Sequence, residues 1–298
     1  MSFLFNDYYL NILVKTFLWA AMSGAWNLMA GYGGLVSLGH SAFFGIGAYT
    51  TAILFSKYAI SPWIGLPLGI VLTTITAVVI SWPCFRLRGA FFSLATLVFP
   101  IAMEIISNNW SDLTSGPSGI AIPFRPGLEN FMFRSRWPYL GAAFLLMVVT
   151  YFITRWMHRS RLGLYLIAVR DDDAAAESLG VYPVRVKLLV TMISAALTAI
   201  SGFFYAHYIL FLDPPSVFSI DVSIHFALLS IIGGMGTALG PIAGSFLMTP
   251  LDGFLSQLLG GGIRLMIYGF VLLLVVLVVP QGIVGTVQKW WNRRHQAS

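Results

Sequence analysis

RWMHRSRLGLYLIAVRDDDAAAESLGVYPVRVK, residues 155–187, is the longest polar interruption in a chain otherwise built of apolar runs. Magnitudes decide where it lies. Arg170, Asp171, Asp172 and Asp173 would each cost about 2.5–3.5 kcal/mol at a bilayer centre, while each Leu or Ile returns only about 0.3–0.6 kcal/mol. The segment therefore sits in water, and the runs flanking it are the parts that cross. Within it, AAAESLG is expected to form a short helix on the membrane surface, offered to a soluble partner.

Composition points the same way. The 298 residues are 58% hydrophobic and 9% charged, whereas soluble domains carry about 25% charged residues. Apolar runs of about 20 residues, rising about 1.5 Å each, match a hydrocarbon layer of about 30 Å. The formal charge of +6 does not indicate a nucleic-acid partner, because the basic residues cluster at the ends of apolar runs and no basic stripe or recognised module is present. The lone Cys84 is read as a small packing residue. Lys15 falls inside the first apolar run rather than ahead of it, which argues for a retained span over a cleaved signal peptide.

The predicted fold is an all-α polytopic membrane protein forming a single domain over residues 1–298, with about nine spans. These run near 10–30, 37–56, 62–82, 90–108, 138–156, 188–210, 222–235, 240–258 and 263–280. Arg86, Arg88, Arg155, Arg159, Arg161, Arg170, Arg185, Lys187, Lys289, Arg293 and Arg294 share one face; Lys15, Lys57, Arg125, Arg134, Arg136 and Arg264 share the other. The positive-inside rule makes the first face cytoplasmic. This gives a cytoplasmic loop at 157–187, a Gly- and Pro-rich external loop at 109–137, and a cytoplasmic tail at 286–298 in which Trp290 and Trp291 beside Arg293 and Arg294 form an interfacial anchor.

GYGGLVSLGHSAFFGIGAYT, residues 31–50, holds too many glycines for an ordinary helix. Gly45 and Gly47 with Ser41, Ala42 and Ala48 are expected to make one thin packing face. Either packing alone explains the glycines, or the helix breaks near Gly31–Gly39 and its freed backbone lines a path for a polar solute, with Gly34, Ser37, Gly39, His40 and Ser41 near it. IIGGMGTALGPIAGSF, residues 231–246, is a second break that would contribute Gly234, Gly236 and Gly240. A shift of 201 positions lays Gly33, Leu38, Gly39 and Ala42 on Gly234, Leu239, Gly240 and Ala243. Paired interruptions of this kind point to two related halves around a path.

Other chemistry is scarce. Val14 stands where a phosphate-binding Gly-x-x-x-x-Gly-Lys-Ser/Thr element before Lys15-Thr16 needs its second glycine, so the chain binds no nucleotide that way. Glu104, near the end of its span, is read as interfacial. His207 and His225 lack metal-ligand spacing, and no metal is expected.

Taken together and in order, GYGGLVSLGHSAFFGIGAY, RLRGAFFSLATLVF, LTSGPSGI, GLYLIAVRDDDAAAESLGVYPVRVKLLV, IIGGMGTALGPIAG and PQGIVG resemble the bacterial branched-chain amino acid ABC transporter permease family, of LivM type. The resemblance implies a permease subunit that imports leucine, isoleucine and valine across the inner membrane. It also implies a LivH-like sister permease, two cytoplasmic ATPase subunits that bind the ATP, and a periplasmic amino acid-binding protein; no cofactor is expected on this chain itself. By position, the loop carrying Arg170, Asp171, Asp172, Asp173, Ala175, Ala176, Glu177 and Gly180 corresponds to the segment that docks on the ATPase, with Ala175, Ala176 and Gly180 matching its Ala-Ala-x-x-x-Gly core. Ala174 replaces the acid expected before the alanine pair, Asp173 lies one position earlier, and the downstream Ile-x-Leu-Pro part is missing. A urea or short-chain amide permease, a stand-alone secondary carrier and a non-transporting membrane subunit are the alternatives.

Overall fold

The structure is a computed structural model that describes residues 7–87, 89–258, the isolated positions 263, 266, 267, 269, 270, 273, 274 and 277, and 282–286. The predicted span at 263–280 and the tail at 286–298 therefore lie largely outside the described residues.

The helices are α1 (Asp7–Asn27), α2 (His40–Tyr58), α3 (Pro62–Cys84), α4 (Ala90–Asn109), α5 (Ser111–Thr114), α6 (Trp137–Arg159), α7 (Arg161–Asp171), α8 (Asp173–Ser178), α9 (Pro183–Ile209), α10 (Pro214–Phe218), α11 (Ile220–Gly234) and α12 (Gly240–Leu258). Five segments are long and apolar enough to cross a bilayer among the described residues: Pro62–Cys84, Ala90–Asn109, Trp137–Arg159, Pro183–Ile209 and Pro214–Gly234. The chain is thus a multi-pass helical membrane protein, but the count of nine spans is not reached among the described residues. α1, α2 and α12 have similar lengths, of 21, 19 and 19 residues. In α1 and α2 the polar residues Ser23, Asn27, His40 and Ser41 are buried in the protein.

Helix position follows from side-chain size. In α3, Gly65, Gly69, Thr73, Ala77 and Ser81 recur every fourth residue and are buried, while Ile64, Leu68, Ile75 and Val79 face outward. A membrane helix packs through its small residues because lipid already solvates the large ones. α4 is likewise peripheral, exposing Phe91, Leu94, Val98 and Ile105. α1 is central, with every residue from Ala20 to Gly33 buried.

α2 and α9 cross at backbone contact. A Cβ on Gly202 would lie 2.2 Å from the Phe44 carbonyl oxygen, and one on Gly47 would lie 2.5 Å from that of Ala199. Gly45 instead faces the Phe218 ring of α10. The single thin face expected for Gly45 and Gly47 is therefore two faces, since residues two apart lie about 200° around a helix. α2 is enclosed on both.

The stretch between α4 and α6 is irregular, as its Gly and Pro content requires. It contributes one departure from pure helix: β1 (Ile120–Ala121) pairs antiparallel with β2 (Phe211–Leu212), with Ile120 opposite Leu212 and Ala121 opposite Phe211. Ile120 and Leu212 are both buried in the main core with Trp26, Phe44 and Phe204.

Candidate functional site

The first interruption begins where α1 widens into one π-helical turn, Leu28–Tyr32, and runs without helix through Gly33–Gly39. Gly34 takes φ +67°, which glycine adopts without steric cost. The backbone groups freed here find protein partners. Trp26 Nε1 donates to the Ser37 carbonyl at 2.7 Å, Ser93 Oγ donates to the Val36 carbonyl at 2.6 Å, and Thr96 Oγ accepts from the Leu38 amide at 3.1 Å.

The second interruption, Met235–Leu239 between α11 and α12, meets the first directly. Asn27 Nδ2 donates to the Thr237 carbonyl at 2.9 Å, and Asn27 Oδ1 accepts from the Gly236 amide at 2.8 Å. Gly31 supplies the room, because a Cβ there would lie 2.1 Å from Asn27 Oδ1 and 2.5 Å from the Gly236 nitrogen. The two Gly-rich breaks, far apart in sequence, are thus one junction held by one amide side chain.

The polar segment between α6 and α9 forms two short helices. Ser160 caps α7, its Oγ accepting from the Gly163 amide at 3.4 Å; Asp172 caps α8, its Oδ1 accepting from the Ala174 and Ala175 amides at 2.8 and 3.2 Å. An oxygen at this position satisfies amides that a helix start leaves without partners. Pro183 opens α9, as proline does at a first helical turn. The expected loop 157–187 consequently narrows to 160–182, since its ends belong to α6 and α9. Leu166, Val169 and Ala176 anchor the segment against Tyr32, Met157, Val186 and Val190.

Arg170 connects this segment to the junction. Its Nη1 donates to the Gly31 carbonyl at 2.8 Å, and a Cβ on Gly34 would lie 2.9 Å from Arg170 Cγ. A cavity of about 370 Å³ opens beside this contact, bordered by Gly34, Phe92, Arg170, Asp171 and Lys187. Asp173 pairs with Lys187, Nζ to Oδ2, at 2.7 Å; the lysine side chain is 11% exposed and the aspartate 30%.

The predicted residues therefore divide. Of the acidic run, Asp172 caps a helix, Asp173 is paired, and Asp171 is exposed on the cavity rim. Ala175, Glu177 and Gly180 face outward, whereas Ala176 faces the protein's own core. Among the path residues only Gly34 borders this cavity. Ser37, His40 and Ser41 are enclosed: His40 Nε2 lies 2.8 Å from Ser194 Oγ, which itself donates to the Ala25 carbonyl at 2.6 Å. Ser41 accepts from Ser223 Oγ at 2.8 Å and donates to the Phe218 carbonyl at 3.2 Å. Gly39 is buried too, its would-be Cβ 2.8 Å from the Thr96 carbonyl oxygen. Gly234 is buried and takes φ +125°, while Gly236 takes φ +80° within the junction. Gly240 starts α12 and accepts its first-turn position from Thr237, whose Oγ1 receives the Gly240 amide at 3.0 Å.

Sequence reading missed Asn27, Trp26 and Ser194. The available signal was a carboxamide in an apolar run, four residues before the first glycine of a Gly-rich stretch. Among the described residues, no group of three or more His, Cys, Asp or Glu side chains is placed to hold a metal ion.

Comparison with known proteins follows the same lines. The family described as branched-chain amino acid transport system / permease component matches residues 8–278. The high-affinity branched-chain amino acid transport system permease protein LivM of Salmonella typhimurium is 30% identical over 261 residues, covering 80% of this chain and 61% of that protein. LivH of Escherichia coli K12 is 24% identical over 289 residues, covering 90% and 91%. The autoinducer 2 import system permease protein LsrC of Enterobacter sp. 638 is 32% identical over 118 residues, or 38% and 34%. The chain thus spans about three fifths of the length of the LivM proteins it matches. No solved structure matches it.

Proposed function

The chain belongs to the family of branched-chain amino acid transport system permease components, and we propose that it is the membrane-spanning subunit of an ATP-driven importer carrying leucine, isoleucine and valine across the bacterial inner membrane. A LivH-like sister permease, two cytoplasmic ATPase subunits and a periplasmic binding protein complete the assembly. The α7–α8 segment and the chain's C-terminus face the cytoplasm. The chain has no ATPase site of its own, and its partners bind the ATP.

The observation that carries this reading is the hold of Arg170 on the Gly31 carbonyl. A conformational equilibrium moves only when an effector contacts its two states differently. ATP-driven closure of the ATPases grips α7–α8 differently in each state. Arg170 passes that difference to the first break, and Asn27 passes it to the second. Both related halves then respond to one push, which is the requirement for alternating access by rocking.

The test is reconstitution of this chain with its sister permease, ATPases and binding protein in proteoliposomes, with labelled leucine uptake followed with and without ATP. Uptake that needs ATP and all the subunits is expected. Leucine uptake by this chain alone would indicate a stand-alone carrier and overturn the proposal. ATP-dependent uptake of urea or a short amide in place of leucine would change the substrate and leave the mechanism.

A further inference from the structure

A second cavity lies at the end of the molecule remote from α7–α8. It measures about 460 Å³ and is bordered by the first half of α1, the end of α9, the first turns of α11 and the second half of α12. That volume falls within the range of small-molecule sites, about 300–1,000 Å³. Its wall combines Lys15 and Asp221 with the apolar side chains of Ile12, Leu18, Trp19 and Val222.

Lys15 is the residue that needs explaining. It stands eight positions into α1 from Asp7, about 12 Å along the axis, and so well inside the helix. Among the described residues neither Lys15 nor Asp221 has a hydrogen-bond or ion-pair partner. Asp252, on the same wall, already interacts within the protein, which leaves Asp221 as the open acid. Lys15 and Asp221 are both exposed in this chain, and both border the cavity. Here a cation and an anion share one cavity with an apolar patch between helices. A ligand with a carboxylate, an ammonium and a branched apolar side chain complements all three.

We infer that this cavity is a binding site for a zwitterionic, apolar amino acid. Lys15 Nζ receives the α-carboxylate, Asp221 receives the α-ammonium, and Ile12, Leu18, Trp19 and Val222 receive the side chain. The inference rests on the importer reading and adds the site and its recognition chemistry. It also separates amino acids from neutral amides, which offer neither charge.

Saturation-transfer NMR on the purified permease complex, without nucleotide or binding protein, tests it through the methyl signals of leucine, 4-methylpentanoate (leucine without its ammonium) and isoamylamine (leucine without its carboxylate). Leucine is expected to bind the wild-type complex, and Lys15→Gln to raise its apparent Kd about tenfold or more, as loss of a charge-assisted contact does. Lys15→Arg restores binding. Asp221→Asn weakens isoamylamine and leaves 4-methylpentanoate unchanged, while Lys15→Gln does the reverse; this cross-pattern does not arise from a folding defect. Equal leucine affinity in wild type and Lys15→Gln overturns the site, as does no binding to a wild-type complex that still takes up leucine. A complex that binds leucine with this pattern but never transports it keeps the site and overturns the importer reading instead.

Discussion

Gly236 donates its amide to Asn27 Oδ1 across 2.8 Å, although 209 positions separate the two residues. Asn27 also donates to the Thr237 carbonyl, so one side chain satisfies backbone groups of opposite polarity in the partner break. Asn27→Ala leaves both without a protein partner, at about 1–3 kcal/mol each. A lowered thermal unfolding midpoint in detergent is expected. Gly31→Ala displaces Asn27 by its own bulk and should give a similar loss, and the double variant should fall short of the sum, as neighbours sharing an interaction do. An unchanged midpoint in Asn27→Ala would remove the junction from this account.

Arg170 is exposed apart from its contact with Gly31, so its loss should cost little folding stability. Its effect should appear in coupling. Arg170→Met is expected to cut ATP-dependent uptake by about fivefold or more, within the usual range of coupling between sites, while the ATPase subunits still copurify. Normal uptake would place the coupling route elsewhere.

Gly180 sits at the turn after α8 with φ +83° and open space where a Cβ would go; Leu179 beside it is 83% exposed. Gly180→Ala pays only the left-handed backbone cost of about 1–2 kcal/mol and should keep ATPase association. Gly180→Trp adds bulk on the same surface and should abolish association or coupling while membrane insertion persists. Leu179→Asp, with no backbone strain, should weaken copurification about tenfold, as loss of an interface anchor does. Intact pull-down of the ATPase by Gly180→Trp and Leu179→Asp, with normal uptake, would exclude this turn as the docking point.

Two glycines make a matched stability test. A Cβ on Gly202 meets the Phe44 carbonyl oxygen at 2.2 Å, whereas one on Gly141 meets nothing within 4 Å. Gly202→Ala should force α2 and α9 apart and destabilise by about 1–3 kcal/mol. Gly141→Ala, in the first turns of α6, should be neutral or stabilising by up to about 1 kcal/mol, because alanine is the better helix former. Melting curves of the two proteins in one detergent decide it.

The helix content was legible because it depends on a local term, apolar runs of bilayer length. The chain breaks near Gly33–Gly39 and Gly236 were legible for the same reason, since glycine density and positive φ are local properties. What packs on what was not. Nothing adjacent to Asn27 indicates that its partners lie beyond residue 230, and nothing near Ala176 distinguishes it from Ala175, although one faces inward and the other out. His40 illustrates the limit from the other side. Its position in a Gly-rich break suggested a path, yet Ser194, 154 residues away, closes it into the interior.

The short ladder joining Ile120–Ala121 to Phe211–Leu212 has a mechanical consequence. It stands at the C-terminal end of α9, while the α7–α8 segment joins the N-terminal end. With 27 residues, α9 is a rod of about 40 Å, clasped by the ladder at its C-terminal tip and joined to α7–α8 at its N-terminal one. Under the proposed coupling, a load on α7–α8 acts on a lever held at its far end: the rod tilts about the clasp, and the displacement is greatest at the end joined to the segment that Arg170 ties to Gly31.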